Sequence, residues 1–388
     1  MTNRMPAETV APGEFLREEI EARGWTQETF AEVLGKSVRL VNEILMGRRS
    51  ITPETATVLG EALGTSAELW LNLESTYQLS RVASGGDVVA RRSKLYSKAP
   101  VKDMIKRHWI ERSSNIEVLE KRIADFFGVR SIDDEDIEPV PHAARKSAAY
   151  ESTSPTVCAW LTMARRMARG VAAKPCTEAR LKEGLDNLRP LLGSAEEVRH
   201  VPAILAEAGI RMVIVEHLPQ SKIDGAALWL DKAGKQPVVA LSLRYDRVDC
   251  FWFTLVHELM HIMHRDLPGQ GGYTGYDVDL VGQGARKRES LPKVEQERNR
   301  EAAAFLIPQD ELDDFIVRVG PLYSKKRIVE FAEAHNLHPG LVVGQLQFRG
   351  ELDWTHSREM LERVRGVIAG AALTDGWGHN VSAGIQER

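Results

Sequence analysis

Apolar residues recur along this chain with two different periods, and the change from one to the other divides it. Between residues 13 and 79 they fall at helical spacing, in short runs punctuated by glycine or by residues suited to begin a helix. The first run, 13–23, carries Phe15, Leu16 and Ile20 and stops at Gly24. A second starts at Thr26 and offers Phe30, Ala31 and Leu34 before Gly35. A third runs from Ser37 through Val38, Val41, Ile44 and Leu45 to Gly47. Two more span 52–63, with Pro53 in the first helical position, and 66–79 around Trp70. Helical spacing returns over 117–127, 143–169, 181–192 and 196–208. Past residue 209 the pattern changes: 209–216, 225–230 and 237–243 read as strands, the last two joined by turn residues at 231–235. Then 251–264 is apolar on nearly every helical face, and 295–307 is a carboxylate-rich helix stopped by Pro308. A further helix spans 327–336, and another opens at His338.

These periods predict an α+β chain that is predominantly α. The expected order is a five-helix unit (10–80), a linker and helical region (81–142), a helical middle region (143–208), a half built on a small, mostly antiparallel sheet (209–354), and a charged helix with a poorly ordered tail (355–388). Residues 84–86 read as a hinge, 133–141 as an exposed acidic linker, and the glycine-rich loop 266–291 as either a mobile lid over the cleft or plain disorder. Composition adds little: 43% hydrophobic and 27% charged residues in 388 is ordinary for a soluble globular protein of two or three domains. A net charge of −4 argues against a wholly basic nucleic-acid coat. The chain lacks a membrane-spanning apolar run and a signal core, so a cytoplasmic protein is expected. Cys158, Cys176 and Cys250 are widely spaced and read as packing residues.

Short helix, glycine turn, short helix within a five-helix unit is the helix-turn-helix plan, whose second helix enters the major groove. Lys36, Arg39, Arg48 and Arg49 cluster on and just after the third helix. Ser37, Arg39 and Asn42 are expected at base edges or the adjacent backbone, and Lys36, Arg48 and Arg49 at phosphates. The basic stretch from Arg91 to Arg107 reads as a solvated helix face, with a supplementary DNA contact as the sharper alternative. The segments beginning Pro12-Gly-Glu-Phe-Leu-Arg, Gly24-Trp-Thr-Gln-Glu, Val41-Asn-Glu-Ile-Leu-Met-Gly-Arg-Arg and Gly64-Thr-Ser-Ala-Glu-Leu-Trp resemble the XRE-type, lambda-repressor-like helix-turn-helix of HigA antitoxins over 10–80. That resemblance implies operator binding as a homodimer, control of the protein's own promoter, and a cognate toxin as a further partner.

The second chemical signal is His257-Glu258-Leu-Met-His261, an H-E-x-x-H arrangement inside a helix that should be buried. Residues four apart share a helix face, so His257 and His261 can hold one ion while Glu258 stands beside its open position. Such an ion acidifies a water whose proton the glutamate takes, and the chemistry implied is peptide hydrolysis. Unpaired imidazoles and a carboxylate would be costly in a core, and a metal accounts for all of them. His264, one turn on, is expected to be a core or supporting residue. A third ligand must come from the 295–307 helix, where Glu297 and Glu301 lie one turn apart and spacing does not choose between them.

This half resembles the ImmA/IrrE metallopeptidases from about residue 210 to 350, through Phe251-Trp-Phe-Thr-Leu-Val-His-Glu-Leu-Met-His, the run ending Phe305-Leu-Ile-Pro308, and His338-Pro-Gly-Leu-Val-Val-Gly-Gln. The small sheet leading into the metal helix is the layout of a minimal zincin, and the ligand types point to zinc, with manganese as an alternative. The resemblance implies cleavage of a repressor or other regulatory protein. In that family the ligand glutamate precedes a small residue and Asn or Asp, ahead of the proline-terminated run. Counting back from Pro308 sets Asn299 on that position and implies Glu297 as the third ligand. Arg298 and Glu301 depart from the family pattern, which keeps Glu301 as the rival. Together these readings give a cytoplasmic DNA-binding regulator that carries a zinc-dependent endopeptidase. The alternative is a DNA-binding sensor or antitoxin whose metal domain binds a ligand or toxin without cutting.

Overall fold

The computed structural model describes residues 10–81, 86–132, 154–231, 233–266, 275–283, 285 and 291–377. Contacts divide the chain into one unit ending at Arg91 and a second beginning at Arg92. The expected acidic linker, the hinge residues 84–85, residues 143–153, most of the glycine-rich loop and the tail beyond 377 lie outside the described residues.

The first unit consists of α1 (Pro12–Ala22), α2 (Gln27–Leu34), α3 (Val38–Leu45), α4 (Pro53–Leu63) and α5 (Ala67–Arg81). Local chemistry sets the boundaries. Thr26, Ser37 and Thr52 each accept a hydrogen bond from the amide three residues on, and Gly35 and Gly64 take left-handed conformations that end α2 and α4. Such caps are worth about 1 kcal/mol each, a large fraction of what so small a helix needs. Leu16, Phe30, Val41, Leu59 and Trp70 form a fully buried centre. Gly13 lets α1 approach α3 closely, since a Cβ there would lie 2.5 Å from the Ile44 carbonyl oxygen.

The second unit opens with the end of α6 (Gly86–Lys98), followed by α7 (Val101–Lys106), α8 (Ile116–Phe127), α9 (Pro155–Ala168), α10 (Glu178–Leu188) and α11 (Val201–Ala208). Strands β1 (Arg211–Ile214), β2 (Ile223–Trp229) and β3 (Pro237–Leu241) come next, the last two closing a hairpin in which Asp231 Oδ1 accepts from the amides of Lys235 and Gln236. Then follow α12 (Val248–His264), β4 (Asp277–Val278), α13 (Lys293–Leu306), α14 (Gln309–Val319), α15 (Lys325–Ala334), α16 (Pro339–Arg349), α17 (Arg365–Ala369) and β5 (Leu373–Thr374).

The five-stranded sheet has the order β4-β2-β3-β1-β5. It is mixed rather than mostly antiparallel: β2 runs antiparallel to β3 and β4, while β1 runs parallel to β3 and β5. Side chains alternate across it. Met212, Ile214, Ala227, Val239 and Leu241 face a core shared with α10 to α16, whereas Val213, Ala226, Leu228, Val238 and Ala240 face α7, α8 and α9. Burial on both faces is why these strands read as continuous apolar runs.

Two expectations are corrected by this layering. Residues 92–132 and 154–208 are not a linker and a separate middle region. They supply the helices that cover the sheet, with Trp160 Nε1 donating to the Val215 carbonyl at 2.8 Å. Nor are the described residues 355–377 a charged helix and loose tail. Val364 and Ile368 are fully buried, β5 extends the sheet beside β1, and the Glu216 amide donates to Asp375 at 3.1 Å. Small residues and glycines disguised this segment, because its order comes from pairing with β1 rather than from its own periodicity. Among the described residues no helix is long and apolar enough to cross a membrane.

Candidate functional sites

Helix α12 is buried from Val248 to Ile262 except at Phe253, so its polar residues are enclosed by the fold rather than by solvent. His257, Glu258 and His261 are each 0% exposed. The two imidazoles turn their Nε2 atoms toward each other at 3.0 Å, and Phe253 lies over the His257 ring. The carboxylate completing the group is Glu295, whose Oε2 is 3.3 Å from both Nε2 atoms.

This departs from the expected third ligand. Glu297 is exposed and Glu301 faces away from the histidines, accepting instead from Arg298 and lying 3.1 Å from His264 Nε2. Helix phase is the reason. The buried face of α13 comprises Glu295, Arg298, Asn299, Ala302, Ala303, Phe305 and Leu306, a stripe at helical spacing that passes over position 297. His264 itself is at the rim of α12, paired with Glu301, and contributes nothing to the group around His257.

A further carboxylate arrives from β4. Asp277 Oδ2 stands 3.2 Å from His257 Nε2, and the donor atoms of His257, His261, Asp277 and Glu295 all lie within 4.8 Å of one another. Ligand atoms about 2.0–2.2 Å from a tetrahedral ion stand about 3.3–3.6 Å apart, close to the spacings seen. Asp277 Oδ2, Glu295 Oε2, His257 Nδ1 and both oxygens of Glu258 are buried without an aligned hydrogen bond. So many unsatisfied polar atoms in one enclosed place are costly unless a cation answers them. The donor set, two imidazoles with carboxylates, fits zinc, and manganese is compatible with it.

Charge within the cluster follows burial and proximity. Burial alone would hold the His257 imidazole neutral, but the Asp277 and Glu295 carboxylates outweigh it and carry its pKa well above the ordinary value. Burial, then the neighbouring Asp277, pushes Glu258 well above the usual carboxyl range. Asp277, its side chain 12% exposed, is largely desolvated too, yet the facing His257 holds its pKa below normal. Strand β2 passes directly over Glu258: a Cβ on Gly225 would sit 2.6 Å from Glu258 Oε1, so glycine is what admits the carboxylate there.

The other ring nitrogen of His261 is held from behind. Arg265, in the left-handed region, ends α12 and turns the chain so that Asp266 Oδ2 meets His261 Nδ1 at 2.9 Å. Arg298 grips the same carboxylate through Nε at 2.7 Å and Nη2 at 3.2 Å, and donates to Glu301 at 3.1 Å. Despite partial burial, His261 and Arg298 lower the Asp266 pKa to about 2. A carboxylate behind a ligating imidazole fixes its tautomer and orientation. Arg298, which breaks the family pattern in the sequence, thus supports the site. Sequence reasoning missed Asp266, Asp277, Glu295 and Arg298. The phase of Ala302, Ala303 and Leu306, projected backward, was the available signal for Glu295.

In the N-terminal unit, Lys36, Ser37, Arg39, Arg48 and Arg49 are exposed, and Asn42 is half-buried on α3. The Ser37 hydroxyl is engaged as the helix cap, accepting from the Leu40 amide at 3.2 Å. Glu43 accepts from Arg39 at 2.8 Å and Arg49 at 3.3 Å, aligning both guanidinium groups along one side of α3. Asn42 Nδ2 donates to Gln27 Oε1 at 3.1 Å, linking the start of α2 to the same face.

Residues 16–70 match the helix-turn-helix family, and residues 207–321 match the IrrE N-terminal-like domain. Virulence-associated protein I of Dichelobacter nodosus is 40% identical over 78 residues, which is 20% of this chain and 70% of that relative. An addiction module antidote protein of the HigA family from Coxiella burnetii is 37% identical, covering 19% of this chain and 79% of that one at a TM-score of 0.18. The Pseudomonas aeruginosa antitoxin HigA, solved with the higBA promoter, is 33% identical, covering 21% of this chain and 91% of its own at a TM-score of 0.20. The chain therefore belongs to the XRE-type helix-turn-helix proteins and carries an IrrE/ImmA-like peptidase domain.

Proposed function

We propose that this regulator is a zinc-dependent endopeptidase whose target is a regulatory protein, with operator DNA held by its N-terminal unit. The observation that carries the reading is the convergence of two buried imidazoles and Glu295 beside a buried Glu258 whose oxygens lack an aligned hydrogen bond. His257, His261 and Glu295 would hold the metal. When bound, zinc supplies Lewis-acid chemistry, polarising a peptide carbonyl and acidifying water. Glu258 takes the proton of the attacking water and returns it to the leaving amine. Its burial makes it a stronger base than an exposed glutamate, and Gly225 above it leaves room for the carboxylate. His261 keeps its orientation through Asp266 and Arg298.

At the other end, Lys36, Arg48 and Arg49 would meet phosphates, with Arg39 and Asn42 nearer the bases. Binding as a homodimer in the cytoplasm, and neutralising a toxin as HigA-type relatives do by name, belong to the same proposal. The test is Glu258→Gln. It keeps the metal and loses cleavage by about 10²–10⁴-fold. Comparing the proteomes of cells carrying wild type and Glu258→Gln reveals the cleaved regulator; equal cleavage at matched metal content would remove the reading. One observation favours the rival, a metal-bearing sensor that never cuts: Asp277 brings a fourth carboxylate-or-imidazole donor to a site that should keep one position open.

A further inference from the structure

Strand β4 does two things at once. Its backbone pairs with the edge of β2, Val278 opposite Ile223 and Asp277 opposite Gly225, the residue that passes over Glu258. Its Asp277 side chain enters the group formed by His257, His261 and Glu295, with Oδ2 buried and lacking an aligned hydrogen bond. A hydrolytic zinc site keeps three protein ligands and an open position, whereas four protein ligands close it. We infer that Asp277 is a fourth protein ligand and that β4 thereby holds the resting site shut, filling both the open position and the strand edge along which an extended peptide would pair. The inference rests on the metal reading proposed above.

The closure is fastened by specific polar groups. Asp224, on β2, accepts from the Leu280 amide at 2.7 Å and the Val281 amide at 3.4 Å, and is itself held by Arg244 at 2.8 and 3.1 Å. Arg244 also reaches Asp279 at 3.0 Å, and the Asp279 amide donates to the Lys222 carbonyl at 3.1 Å. Just beyond, Gly282 fits so closely on Tyr245 that a Cβ would meet the ring at 2.5 Å. Yet β4 itself is only two residues long. An incoming extended peptide replaces its backbone pairs one for one, so the occupant that opens the site is a substrate strand able to outcompete Asp277 and its fasteners.

The experiment uses the full-length protein loaded with cobalt, read by visible absorption and by the rate at which a chelator removes the ion. Wild type should give the intense bands of a four-coordinate site, unchanged across the neutral pH range. Asp277→Ala and the isosteric Asp277→Asn should shift the bands, make them pH-dependent as solvent enters, and weaken metal retention at least about tenfold. Zinc-loaded variants should also cut a mixed-sequence fluorogenic peptide library faster than wild type. Bands and retention identical to wild type in both variants would overturn the assignment of Asp277 as a ligand. Altered bands with no gain in cutting would make Asp277 a permanent structural ligand and overturn the closure. His257→Ala separates the two readings: if it retains cobalt as wild type does, the metal site itself fails, and if only the Asp277 variants are silent, the closure alone fails.

Discussion

Lys36, Ser37, Arg39, Arg48 and Arg49, most of the residues proposed above to meet DNA, lie on one short helix and its flanks and are exposed, with Asn42 half-buried beside them. Around His257 the opposite holds: side chains from α12, β4 and α13 meet with almost no exposed surface. A surface that binds phosphate needs only charge on a rigid local element, so contiguous sequence suffices to build it. A site that gathers buried carboxylates must be assembled by long-range packing, since each charge is tolerated only where its partner is already fixed. The same chain can therefore be read residue by residue at one end and only through its tertiary structure at the other.

The sharpest way to break this comparison is to exchange the two glutamates of α13. Glu295→Gln should lower zinc affinity about a hundredfold or more, and Glu297→Gln should leave it within error of wild type, measured by competition with a chromophoric chelator. Were Glu297→Gln the damaging change, the helix phase described above would be wrong and contiguous pattern a better guide than packing.

How much was legible depended on how local the cause was. The N-terminal helices were visible because Thr26, Ser37, Thr52, Gly35 and Gly64 announce their ends in the sequence itself. His257, Glu258 and His261 were visible for the same reason, four residues apart on one apolar helix. Glu295 was hidden by two acidic neighbours that share its composition but not its phase. Asp277 was hidden more deeply: a two-residue strand has no periodicity of its own, and only pairing with β2 brings it to the histidines. The segment 364–374 was misjudged likewise, its burial coming from β1 and the turn at 195–200 rather than from any amphipathic run.

A smaller effect is expected behind His261. Arg298→Ala releases Asp266 and Glu301 together and should weaken zinc about 10–100-fold without removing a ligand. Its pH dependence has a definite sign. The Asp266 pKa lies near 2 in the fold, below its usual 3.8, so its stabilising contribution is present above that usual value and is lost as pH falls toward 2. Without Arg298 the depression shrinks, leaving less stability for acid to remove. Acid titration followed by circular dichroism should therefore show the variant unfolding at higher pH than wild type. Arg298→Lys, which keeps the charge but not the two-pronged grip, should fall between them.

The mildest test belongs to the N-terminal unit, where function and folding occupy adjacent residues. Arg48→Ala should leave thermal stability unchanged and reduce the slope of log affinity against log salt by about 0.9, as expected for one phosphate contact. Ser37→Ala should do the reverse. Its hydroxyl is already engaged with the Leu40 amide, so the change costs about 1 kcal/mol of stability and leaves the salt slope alone. Measured on operator and unrelated DNA in parallel, the pair separates a helix cap from a DNA contact. If Ser37→Ala instead weakened operator binding selectively at unchanged stability, Ser37 would read a base. The boundary between residues that build α3 and residues that use it would then move by one position.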